Sequence, residues 1–202
     1  MPRISDAKEK LMSAARDLIW ERSYGATSVD EICAKADVRK GSFYHFFPSK
    51  QELTLAAVDA HWTEQRAAWA ATLSAPRPAL DRLRQLLIDT AASYRQARDR
   101  SGILHGCVLA NLALELSADD TLVRARLQEI FADQVALIGA TLADAAAEDT
   151  IAPAIANPVT ARAIVAQLEG MVMFAKIDND PAPLDDLWAH TRLLLGLRPV
   201  LT

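Results

Sequence analysis

The stretch Ser28–Lys50 reads SVDEICAKADVRKGSFYHFFPSK. Phe43, Tyr44, Phe46 and Phe47 crowd four aromatic rings into five positions, directly after Arg39 and Lys40. A core segment has no need of such charge, and a solvated surface has no need of so much ring area. Helical spacing resolves the conflict. On a helix opening near Arg39, Phe43, Phe46 and Phe47 fall at i, i+3 and i+4 and share one side. Gly41, Tyr44 and His45 project away from that side, with Arg39 and Lys40 at the helix N-terminal end. The rings then form a miniature core, which a unit of about 50 residues needs, and the cationic side faces out.

The flanking residues supply the frame. Leu11, Ala14, Ala15, Leu18 and Ile19 recur at helical spacing and predict a helix over about 6–22, punctuated by Gly25. Ser28 with Glu31 three residues on is a capping box, and Val29, Ile32, Cys33 and Ala36 give the short helix after it one buried face. Asp37 makes the turn into the aromatic helix. Pro48 ends that helix, and Ser49 caps the next, again with Glu at the third position, Glu52. Two short helices joined by a tight turn, the second carrying cationic and polar residues, describe a helix-turn-helix. Its second helix must enter the major groove, which assigns contacts residue by residue. Arg39 and Lys40 suit guanine edges or phosphates. Gly41 allows close backbone approach, and Ser42, Tyr44 and His45 can donate to phosphates or base edges. The helix N-termini at Thr27–Ser28 and Ser49–Lys50 offer N–H groups to phosphates.

The whole chain is compatible with this. Its 202 residues suffice for a small domain joined to a larger one, read as 1–50 and 51–202, and a composition that is 51% apolar argues against disorder. Net charge is −4, yet residues 1–50 carry nine Lys/Arg against seven Asp/Glu. A mildly basic head on an acidic body suits local DNA contact. The N-terminus shows no apolar signal region, and Val159–Ala175, the longest apolar candidate, contains Arg162, Gln167 and Glu169, so no membrane partner is expected. Two thiols, Cys33 and Cys107, in such a chain suggest the reducing cytoplasm. The histidines His45, His61, His105 and His190 lack ligand spacing; neither a metal nor a cofactor is expected. Further helices are predicted at about 49–73, 79–99, 103–117, 120–148, 158–177 and 183–196, with Asn157–Pro158 as N-cap and first helical position. Nothing reads as a strand, and the fold class is all-α.

The ordered residues T-S-V-D-E-I, A-x-V, K-G-S-F-Y-H-F-F and P-S-K-x-E-L resemble the TetR family of bacterial repressors over about residues 8–55. The resemblance implies about nine helices, a homodimer, an operator DNA, and a C-terminal cavity whose small-molecule effector controls DNA affinity. Asp37 stands where the family often has glycine; Asp tolerates the left-handed conformation better than most residues. Cys33 replaces a small apolar residue and reads as core packing.

Beyond residue 55, GCVLANLALELS (Gly106–Ser117) and EGMVMFAK (Glu169–Lys176) resemble a branch of that family which includes repressors responsive to electrophiles and acrylate-type compounds. That likeness implies a sensing pair of Cys107 and Lys176. The residue chemistry is consistent with it: a cysteine in the first turn of a helix, near an ammonium, holds more of its thiol as thiolate. Cys107, Asn111 and Glu115 share one helical stripe that could line a cavity, or Asn111 and Glu115 could bond a neighbouring helix. Trp62, Tyr94, Met171 and Phe174 are candidate effector contacts, with core packing the weightier reading of such side chains. Apolar residues on several faces of the last two helices predict a homodimer packed through them as a four-helix bundle.

The expected function is a ligand-responsive DNA-binding regulator, a repressor released from a palindromic operator. The alternative is a cysteine-dependent enzyme acting on small electrophilic carbonyl compounds, with Cys107 as nucleophile and His105 as base. Two residues apart on one segment is poor geometry for that pair, and no glycine-rich oxyanion loop is present.

Overall fold

The computed structural model describes residues 4–197. Over these it contains nine α-helices and no strand: α1 Ile4–Glu21, α2 Val29–Ala36, α3 Lys40–Phe46, α4 Lys50–Leu73, α5 Ala79–Ser101, α6 Val108–Leu116, α7 Thr121–Ala147, α8 Pro158–Asp178 and α9 Leu187–Leu194. They form two compact units. The first takes the chain up to Glu64 together with Cys107–Gln128; the second takes Gln65–Gly106 and the chain from Glu129 on. Helices α4 and α7 each contribute to both.

In the first unit α1 packs on α2, α3 and α6. Leu11, Ala15, Ile32, Phe43 and Leu53 are fully enclosed, with Phe47 close behind. Phe46 is only half-buried and sits edge-on to His45 at 5.0 Å. The ring core is therefore a pair, Phe43 with Phe47 at 6.2 Å, rather than the expected trio. Phe47 is the C-cap of α3, with extended backbone at φ −136° and ψ 116°, so it leaves the helical register that would set it beside Phe46.

The caps form where the residues predict them. Ser28 Oγ accepts from Glu31 N at 3.2 Å, and Ser28 N donates to Glu31 Oε2 at 2.9 Å. Ser49 Oγ accepts from Glu52 N at 3.1 Å. Asn157 Oδ1 accepts from Val159 and Thr160 N ahead of Pro158. Asp37 closes α2 in the left-handed region, at φ 52° and ψ 47°.

Two expectations shift. Helix α6 starts at Val108, not near 103, because Gly106 adopts φ 82° and Asn179 takes the neighbouring backbone: its Oδ1 accepts from Leu104 N at 2.8 Å and its Nδ2 donates to Gly102 O at 3.1 Å. The last predicted helix opens as a 3-10 turn, Ala182–Asp186, and becomes α-helical at Leu187.

In the second unit α8 packs on α9 and on the 3-10 turn before it, and α5 packs on both. Ala161, Ile164, Val165, Leu168, Val172 and Ala175 form the buried face of α8. Helix α7, not the segment 159–175, is long and apolar enough by length and composition to cross a bilayer. One side of it lies in the core, with Ile130, Ile138 and Leu142 enclosed, and Asp133 pairs with Arg66 of α4 at 2.6 Å.

Candidate nucleic-acid interface and effector region

Helix α3 has two distinct sides. Phe43 and Phe47 are buried; Lys40, Gly41, Tyr44 and His45 lie on the opposite, exposed side, with Arg39 exposed at the N-cap and Ser42 half-buried. Tyr44 keeps 53% of its surface while its ring meets Phe43 edge-on at 5.0 Å. A Cβ added at Gly41 would meet nothing within 4 Å, so the space above its backbone is open. Six of the sequence-derived residues thus come together on one short rod held from behind by two rings.

The rod's charge is not spread evenly. Lys40 Nζ lies 2.7 Å from Asp30 Oδ1 on α2, and that hydrogen bond and charge hold the ammonium above the usual lysine range. Asp30 was not a candidate: the two residues are ten apart on different helices, and only the fold makes them neighbours. On the same unit Arg22 bonds Glu31 at 3.0 Å. The Glu31 carboxyl is held below the usual range, first by the Ser28 backbone N–H, then by the Ser28 hydroxyl, and also by Arg22.

Two residues expected to face DNA turn inward. Thr27 is buried, and its hydroxyl donates to Ser23 O at 2.7 Å. Lys50 Nζ donates to Tyr24 O at 2.9 Å and Thr27 O at 2.8 Å, and lies 3.9 Å from the centre of the Tyr24 ring. Two carbonyls and a ring face thus partner the ammonium at the start of α4. Burial lowers its pKa, partly offset by Glu115. Ser28 stays exposed, but its N–H is committed to Glu31.

The effector candidates divide between the units: Trp62, Cys107, Asn111 and Glu115 in the first, Tyr94, Met171, Phe174 and Lys176 in the second. Trp62 is buried and Asn111 half-buried. Cys107 is the N-cap of α6 with extended backbone, one step outside the first turn, and is 9% exposed. Glu115 turns to the backbone of the turn between α1 and α2. It accepts from Tyr24 N at 2.9 Å and Gly25 N at 2.6 Å, spending its carboxylate on the turn between α1 and α2. Tyr94 and Met171 are half-buried. Phe174 and Lys176 lie on the exposed side of α8, away from the stripe that includes Val172 and Ala175. Lys176 also occupies the last turn of α8, where a cation complements the helix dipole.

The first unit holds a small crevice between α1, α4 and α6. Lined by Arg16, Ile19, Thr54, Ala57, Val58, His61, Val108 and Leu112, it holds about 10 Å³. That suits one water, against the several hundred Å³ of a drug-sized site. Burial, reinforced by Arg16, lowers the His61 pKa, so this crevice carries a neutral imidazole at pH 7. The second unit has an open cleft of about 410 Å³ lined by Thr72, Arg77, Arg82, Gln85 and Asp89 among others. Arg82 is already committed to Asp144 at 2.9 Å and to Leu73 O. Among the described residues no group of three or more His, Cys, Asp or Glu could hold a metal ion.

Comparison with known proteins now decides the family. Residues 11–57 match the model for bacterial regulatory proteins of the tetR family, and residues 79–191 match the tetracyclin repressor-like C-terminal domain. The chain is a member of the TetR family. It is 31% identical over 88% of its length to an uncharacterized HTH-type transcriptional regulator of Lactococcus lactis, covering 87% of that protein. It is 26% identical, over 88% of this chain and 86% of the other, to the HTH-type transcriptional repressor DhaR of a Mycobacterium species. A TetR transcriptional regulator from Chloroflexus aurantiacus superposes with a TM-score of 0.82 at 27% identity, covering the full length of both chains. The all-helical fold and the role of DNA-binding transcriptional regulator follow from that membership, and TetR regulators bind operators as dimers that answer to small effectors.

Proposed function

We propose that this TetR regulator is a cytoplasmic repressor, split functionally near residue 50, whose homodimer is released from a near-palindromic operator by a small effector. One observation carries the DNA half: the exposed side of α3, with Arg39, Lys40, Gly41, Tyr44 and His45, stands on the buried Phe43–Phe47 pair. Two such rods in one dimer fit successive major grooves about 10 bp apart. The dimer half rests on α8 and α9. Ala166, Met173, Phe174 and Ile177 form one exposed apolar stripe along α8, continued by Leu193 and Leu194 of α9. A second copy of the same pair covers it as a four-helix bundle.

Effector recognition in the first unit falls to residues around the start of α6, with Trp62 and Asn111 as contacts. Electrophile sensing at Cys107 is the covalent version of that reading: the thiolate adds to an activated alkene, a carbon–sulfur bond replaces the carbon–carbon π bond, and water supplies a proton to the adjacent carbon. The purified protein, presented with a random duplex library, should enrich a palindromic site, and Tyr44→Phe and Arg39→Ala should weaken binding to it while the fold persists. Enrichment of no duplex by a folded wild-type dimer sinks the reading. Cys107→Ser should bind the selected site normally and ignore an α,β-unsaturated aldehyde that releases the wild type; normal release of the mutant removes Cys107 from the switch.

A further inference from the structure

Four peptide groups of the turn joining α1 to α2 are held by two other helices, while Ala26 N and Thr27 N bond within the turn, to Ser23 Oγ and Tyr24 O. Two donors go to α6: Tyr24 N and Gly25 N bond Glu115 at 2.9 and 2.6 Å. Two acceptors go to α4: Tyr24 O and Thr27 O bond Lys50 at 2.9 and 2.8 Å. Thr27 directly precedes Ser28, the N-cap of α2. Whatever holds this turn therefore sets where α2 begins, and through the Asp37 turn where α3 points. A second pair of contacts reinforces the grip. Gln51, next to Lys50, donates to Asp120 Oδ2 at 2.7 Å, while Asp120 Oδ1 accepts from Leu122 and Val123 N at the start of α7.

Residue 25 fits this arrangement. A Cβ on Gly25 would lie 3.1 Å from Glu115 Oε1, closer than an ordinary contact, and no left-handed backbone demands glycine there. The glycine is accounted for by the approach of the carboxylate rather than by its own conformation.

We infer that Glu115 is a positioning residue for DNA binding: its carboxylate, carried on α6, latches the α1–α2 turn and so fixes the recognition rod in its groove-competent orientation. Helix α6 spans the nine residues Val108–Leu116, about 13 Å of stiff rod, with Cys107 at one end and Glu115 near the other. A displacement at the effector end is thereby delivered to the turn as a pull on two charge-assisted hydrogen bonds. The inference rests on the repressor reading above, and deepens it by naming the contact through which the signal leaves the sensor.

The test uses the full-length protein and the duplex selected by the wild type. Glu115→Gln is isosteric but has one acceptor oxygen and no charge; Glu115→Ala has neither. Operator dissociation constants should rise about tenfold for Gln and further for Ala, with the salt dependence unchanged because no phosphate contact is lost. Hydrogen exchange of peptides covering residues 22–28 should accelerate in the same order in the free protein, which a purely packing role of the side chain would not produce. Gly25→Ala approaches from the other side: it should weaken binding a few-fold in the wild type and have no effect in the Glu115→Ala background, a non-additive pair. A Glu115→Gln protein that binds within twofold of wild type with the turn equally protected overturns the latch, as does an additive double mutant. A wild type that selects no duplex instead overturns the repressor reading on which the latch depends.

Discussion

Phe43→Ala is the perturbation that most directly probes how the recognition rod is held. The Phe43 side chain is completely enclosed, meeting Tyr44 edge-on at 5.0 Å and Phe47 at 6.2 Å. Truncation removes the transfer free energy of a buried ring and leaves a cavity that the short helices around it can only partly close, about 3–5 kcal/mol in all. Set against a total stability of about 5–15 kcal/mol, that is enough to unfold the first unit in a measurable fraction of molecules. Phe46 provides the internal control. Its residue type is the same, but part of its surface stays in solvent, so Phe46→Ala should cost measurably less. Urea unfolding of the two mutants, followed by circular dichroism, gives the comparison, and operator binding should be lost in the same order. Equal costs, or a loss under about 1 kcal/mol for Phe43→Ala, would refute the idea that a buried ring pair anchors α3.

Four further outcomes are expected. Asp37→Gly relieves a non-glycine residue at φ 52° and should raise the urea midpoint by the equivalent of about 0.5–1 kcal/mol; a lower midpoint would mean that the Asp side chain contributes more than its backbone costs. Asp30→Asn frees the Lys40 ammonium from its 2.7 Å partner, so operator affinity at low salt should rise and the salt slope steepen by about one unit; an unchanged slope would show that Lys40 does not reach a phosphate. Joint replacement of Phe174 and Ile177 by Asp should give a folded monomer by light scattering at micromolar concentration, and a persistent dimer would move the interface elsewhere. Because Glu31 has a depressed folded pKa, its capping-box contribution is present above the ordinary glutamate range and is lost as pH falls through the folded value. Urea midpoints from about pH 5 down to about pH 3 should therefore fall less steeply for Glu31→Gln than for wild type, and parallel curves would contradict the assignment.

The residues reveal what is local and conceal what is not. Ser28 with Glu31, Ser49 with Glu52 and Asn157 with Pro158 identify their helix starts because donor and acceptor lie within one turn of each other. The outward set Arg39, Lys40, Tyr44 and His45 was legible for the same reason, since a single helix sorts its own sides. The inward turn of the Thr27 and Lys50 side chains is not legible, because their partners, Ser23, Tyr24 and Thr27, belong to a turn whose path no periodicity describes. Glu115 and Phe174 show the larger limit. A stripe at i, i+4 and i+8 says that residues share a side, not whether that side meets a cavity, a neighbouring turn or another subunit. Gly106 and Asn179 together delay α6 by several residues, and a contact between positions 75 apart leaves no mark on either stretch.

The unit that carries the DNA face is assembled from two separated stretches of chain, the second ending at Gln128. At about 5–20 residues per second, a ribosome finishes the first stretch several seconds before it makes the second. A nascent chain thus exposes its helix-turn-helix without the helix whose carboxylate steadies it. On the latch inferred above, competence to grip an operator arrives only after the segment through Gln128 has emerged, and incomplete products of translation are poor competitors for the regulator's own sites.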